Sequence, residues 1–135
     1  MRKTYGALLV AILLAFPFGC GHPTRTESLT VNPSEAGVVG VGVNGQVQFT
    51  ALASIIDPGQ TVNVTNQVAW TSSIPAVVTV NAQGLATSGN ACGVATITAT
   101  LSGALVGQGG IVTGTATFTV ADPSNADCPQ SVPGE

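Results

Sequence analysis

Charge is the scarcest property of this 135-residue chain: 7% of it is Asp, Glu, Lys or Arg, with 3 cations and 6 carboxylates. The cations are Arg2, Lys3 and Arg25, so from residue 20 onward one cation faces six carboxylates, a net charge of −5. A nucleic-acid binder needs a basic stripe to neutralise phosphates, and none is present. Peripheral binding to anionic lipid is excluded for the same reason, and membrane attachment falls to a covalent lipid. His22 is the only histidine and no lysine follows Lys3. A catalytic imidazole needs an oriented partner and a pocket, which a histidine two residues from Cys20 does not promise.

The acids are Glu27, Glu35, Asp57, Asp122, Asp127 and Glu135. No two fall on neighbouring positions of one strand face, so a paired-carboxylate hydrolase is not expected. Asp57, Asp122 and Asp127 read as solvated turn acids, because calcium needs several oxygens gathered together. No catalytic residue, metal, cofactor or small-molecule substrate is expected. Aromatics are also few: beyond residue 19 only Phe49, Trp70 and Phe118 remain. All three fall on inward-facing positions, together with Ile97, so these four form the expected core and no exposed aromatic platform is left for sugar. No stretch after residue 19 shows a helical apolar period. Low charge with high apolar content argues against disorder.

What is present begins at the N-terminus. Arg2 and Lys3 precede an uncharged apolar run, Ala7 to Phe18, and then Gly19-Cys20. A basic start, an apolar stretch and a small residue before the break describe an export signal. The run is shorter than the roughly 20 residues a spanning helix needs. Cys20 stands where a bacterial lipoprotein signal carries its acylated cysteine, and the segment resembles such a signal. Pro17 and Phe18 depart from the usual residues there; secretion with cleavage nearby is the alternative. Residues 1–19 are thus read as signal, 20–27 as a polar tether, 28–121 as one domain and 122–135 as a tail.

The domain is written in twos. Val47, Phe49 and Ala51 alternate with Gln46, Gln48 and Thr50; Ala95, Ile97 and Ala99 alternate with Thr96, Thr98 and Thr100; Ala116, Phe118 and Val120 alternate with Thr115, Thr117 and Thr119. One face is apolar and the other polar, as in a half-buried sheet. Shorter strands are expected at Ser28–Val31, Val38–Val43, Thr61–Thr65, Val68–Ser72 and Ala76–Val80. Asn32-Pro33, Asn44-Gly45 and Asp57-Pro58-Gly59 mark turns. Seven to eight short strands so spaced predict an all-β sandwich.

The ordered motifs Val64-Thr65, Val68-Ala69-Trp70-Thr71-Ser72-Ser73, Pro75-Ala76-Val77-Val78-Thr79-Val80, Gly84-Leu85-Ala86-Thr87 and Gly93-Val94-Ala95-Thr96-Ile97-Thr98-Ala99 resemble the bacterial immunoglobulin-like domain, group 2. Leu29-Thr30-Val31-Asn32-Pro33, Gln48-Phe49-Thr50-Ala51 and Ala116-Thr117-Phe118-Thr119-Val120 extend the resemblance over residues 28–121. It implies an Ig-like sandwich on an exported or surface protein, in a family sometimes tied to adhesion or polysaccharide contact. Segments 35–43 and 101–112 are longer than that pattern requires.

With Cys20 assigned to lipid, Cys92 and Cys128 remain. Cys92 precedes the strand beginning at Gly93, and Cys128 follows the strand ending near Val120. If those strands pair antiparallel, the two cysteines lie side by side. A disulfide there pins the tail and contributes at most about 4 kcal/mol by loop entropy. Two thiols without histidine do not suggest zinc, and the Cys-x-x-Cys spacing of a redox pair is missing. The expected function is a non-catalytic, lipid-anchored cell-envelope module, most simply in the outer membrane, that supports or engages another envelope protein. The alternative is an adhesin-like domain for polysaccharide or a host surface.

Overall fold

The computed structural model describes residues 25–56, 59–107 and 110–133. Cys20, His22, Asp57 and Glu135, and with them the signal and most of the tether, lie outside the described residues. The strands are β1 (Thr26–Asn32), β2 (Glu35–Val39), β3 (Gln46–Gln48), β4 (Thr50–Ile55), β5 (Gln60–Asn63), β6 (Ala69–Ser72), β7 (Val78–Val80), β8 (Leu85–Ser88), β9 (Gly93–Ser102) and β10 (Ile111–Ala121). One turn of 3-10 helix, Ala104–Val106, links β9 to β10.

The strands form the orders β1-β4-β5, β3-β8-β7 and β2-β10-β9-β6. β3 and β4 are one run of chain interrupted at Phe49, whose N–H donates to Gly84 O at 2.8 Å. Joined through that run, β1, β3–β4, β8 and β7 follow the A-B-E-D sheet of an immunoglobulin sandwich, and β6, β9 and β10 follow its C-F-G sheet. β2 adds to the second sheet by pairing parallel with β10, Ala36 opposite Phe118. The sandwich expected from alternation is therefore the fold.

Among the described residues ten strands appear where the pattern suggests seven to eight. The alternating stretch from Gln46 to Ala51 is divided at Phe49, and Leu85–Ser88 forms β8, a strand that the pattern does not mark. Four residues carry too little alternation to announce a strand. The apolar segment Val38–Val43 is also shifted: β2 ends at Val39, and the Gly40–Gly45 stretch carries the chain to the other sheet. Asn44 there takes a positive φ of 51°.

The core lies between the layers. Phe49, Ile97 and Phe118 are completely buried, with Leu101, Val64, Val78 and Val120 around them. Trp70 departs from the expected centre. β6 is the edge strand of its sheet, so Trp70 is half-buried and closes the open side of the sandwich, packed against the core cluster. Its indole Nε1 donates to Thr65 O at 2.9 Å. The Thr65 hydroxyl in turn accepts from Ala51 N at 2.9 Å, supplying a partner for a buried amide.

The two threonine rows pair directly, Thr117 opposite Thr96 and Thr115 opposite Thr98. Thr96 and Thr115 face solvent as expected, but Thr119 is buried. The tail accounts for this: Val132 lies over Gly37, beside Thr119, so closely that a Cβ on Gly37 would come within 2.8 Å of Val132 Cγ1.

Candidate functional site

β9 runs from Gly93 to Ser102 and β10 returns from Ile111, with Gly93 opposite Val120 and Ser102 opposite Ile111. This antiparallel pair sets the long axis of the domain and gives it two distinct ends. The chain comes in at one of them, since Thr26 is registered with Ile55 and donates from Oγ1 to Leu105 O at 2.6 Å. The N–H of Ile56 donates to Arg25 O at 3.1 Å. Arg25, Thr26, Glu27, Ile56, Ile111 and Val112 surround an open depression of about 410 Å³ at this end.

At the far end lie the Cys92–Cys128 disulfide and the loop after β2. The cysteine Cα atoms stand 5.6 Å apart and Cys128 is buried. Antiparallel pairing of β9 and β10 brings them together, as the spacing suggested. The tail folds back from the end of β10: Asp122 N donates to Pro129 O at 2.9 Å and Cys128 N to Asn125 O at 3.0 Å. The loop is held by Gly40 N donating to Ala121 O at 2.8 Å and Gly42 N to Gly89 O at 3.1 Å.

Exposed large apolar side chains concentrate at these ends. Val39, Val41, Val43, Ile74 and Val94 belong to the disulfide end, and Ile56 and Ile111 to the end where the chain comes in. Exposed apolar groups are ordinary when scattered singly and informative when grouped. The sequence hint for the first group was the interleaving of Val with Gly40 and Gly42, which no regular strand favours.

The described acids do not converge. Glu27, Glu35 and Asp127 are exposed and Asp122 is half-buried. Among the described residues no three His, Cys, Asp or Glu side chains group as metal ligands. Trp70, Thr71, Ser72, Pro75, Thr79 and Val80 line a shallow groove of about 270 Å³ on the side of the sandwich. The Trp70 Nε1 donor is already engaged by Thr65, leaving ring surface as what the indole offers there.

Neither a protein-family model nor a curated protein matches the chain.

Proposed function

We propose that this chain is a non-catalytic module of the cell envelope, related to the bacterial group 2 immunoglobulin-like domains. In this reading it is anchored in the outer membrane through lipid on Cys20 and engages another envelope protein at its far end. The observation that carries the reading is the polarity of the sandwich. The chain comes in at the Arg25 end, while Val39, Val41 and Val43 stand exposed at the other, beside a disulfide that braces the tail. A tethered domain that presents apolar side chains away from its tether is built to hold a partner.

Two measurements test this. Mass spectrometry of the mature protein should find Cys20 as an acylated N-terminus; an unmodified N-terminus elsewhere overturns the anchor. A photo-crosslinking residue at Val43 in cells should give a discrete protein adduct, and the same residue at exposed Thr115 should not. Equal labelling from both positions overturns the partner surface.

The groove beside Trp70 favours a second reading, polysaccharide binding, because an indole face is a surface on which sugar rings pack. Titrating envelope polysaccharide into the purified protein should change Trp70 fluorescence if that reading holds. An unchanged spectrum removes it.

A further inference from the structure

We propose that the end carrying Ile56 and Ile111 is a membrane-contacting base, which seats these two side chains at the headgroup–acyl boundary of the bilayer holding the anchor. The inference rests on the lipid-anchor reading above. Ile111 is 67% exposed and Ile56 is 54% exposed, and both border the same depression as Arg25. Ile56 is tied to Arg25 directly through its amide. Wherever Arg25 is held, these isoleucines are held too.

The length of chain before Arg25 determines where that is. Cys20 and Arg25 are five residues apart, so their Cα atoms are at most about 18 Å apart with the chain fully extended. The headgroup layer of one leaflet is on the order of 5–8 Å thick, the difference between the whole bilayer and its hydrocarbon core shared over two faces. The tether crosses that layer with only about 10 Å to spare, so the base of the sandwich is confined beside the surface. Two exposed isoleucines facing it then exchange water for the interfacial region.

Charge limits the depth. Glu27 lines the same depression, and Asp57 follows Ile56 in sequence. Carboxylates stay among the headgroups, so only the apolar tips enter. Arg25 supplies a single cation at this end, so the contact does not depend on anionic lipid.

The test uses the full-length lipoprotein purified from membranes and reconstituted in phosphatidylcholine vesicles. An environment-sensitive nitrobenzoxadiazole label is placed at Ile111→Cys, at Ile56→Cys or, as a far-end control, at Val94→Cys. The native Cys92–Cys128 bridge is left oxidised. Labels at positions 111 and 56 should shift to shorter wavelength on reconstitution and be quenched by doxyl-lipids, and the label at 94 should do neither. If the protein floats with the vesicles and its N-terminal peptide carries lipid, yet the labels at 111 and 56 behave like that at 94, the membrane-contacting base is wrong and the anchor stands. If the peptide carries no lipid and the protein does not float, the anchor reading fails and this inference falls with it. All three positions are exposed, so labelling leaves the core intact.

Discussion

Phe49 and Phe118 face each other across the two sheets with ring centroids 6.4 Å apart and planes inclined by 55°. Phe49 interrupts the β3–β4 run of one layer and Phe118 sits in the second half of β10 in the other. This tilted contact is an arrangement aromatic rings prefer, worth about 0.5–1.5 kcal/mol beyond the area buried. Phe49→Leu and Phe118→Leu should each destabilise the domain. The double variant should lose less than the two together, by roughly that coupling, in urea unfolding followed by circular dichroism. Full additivity would show that the rings act independently.

Trp70 is expected to cost less than the buried phenylalanines. Phe118→Ala should remove about 3–5 kcal/mol, whereas Trp70→Ala, from a half-buried edge position, should remove about 2–3 kcal/mol. Trp70→Phe keeps most of the contact but abandons the bond to Thr65 O, and should cost about 1 kcal/mol. Wild-type tryptophan emission should fall between the buried and fully exposed limits, with partial acrylamide quenching. Unfolding midpoints that rank Trp70→Ala below Phe118→Ala would restore Trp70 to the centre.

Gly84 lies against the same indole. Its φ is +79°, and a Cβ there would stand 2.5 Å from Phe49 O and 3.0 Å from Trp70 Cζ2. Gly103 has a similar φ of +93° with nothing within 4 Å. Gly103→Ala should therefore cost only backbone strain, about 1–3 kcal/mol. Gly84→Ala should cost more and alter Trp70 emission as well. Equal melting shifts for the two would show that the crowding at Gly84 is relieved at no cost.

The Cys92–Cys128 bridge spans 36 residues of sequence. Replacing both cysteines by serine should remove up to about 4 kcal/mol. Amide exchange at Asn125 and Cys128, whose N–H groups are bonded within the tail, should accelerate more than at Ile97 in the core. Non-reducing peptide mapping of the purified protein should recover the linked pair. Uniform acceleration across core and tail would show that the bridge supports the whole sandwich instead of the tail.

Much of this architecture is legible in a period of two. Alternation tells which residues share a face, so Phe49, Ile97 and Phe118 are recognisable as core without knowing which strands adjoin. The positions of Cys92 and Cys128 at the ends of two long alternating segments are enough to bring them together once those segments pair. Short elements are harder to read, because Leu85–Ser88 offers only two inward positions.

Strand order is a different matter, since it depends on contacts distant in sequence. Nothing local states that Glu35–Val39 joins β10 in parallel and leaves Val41 and Val43 outside, or that β6 lies at an edge and half-exposes Trp70. Nor does a threonine row reveal that Val132 will come to lie beside Thr119. The two ends show the same division. Ile56 and Ile111 are 55 residues apart in number and border one depression only because the end of β4 and the start of β10 lie at the same end of the domain. The sequence by itself determined the all-β class, the buried faces and the cysteine pair, because side-chain direction in a strand is a local property. Edge, end and surface were decided by tertiary structure alone, because they are set by which strands lie beside one another.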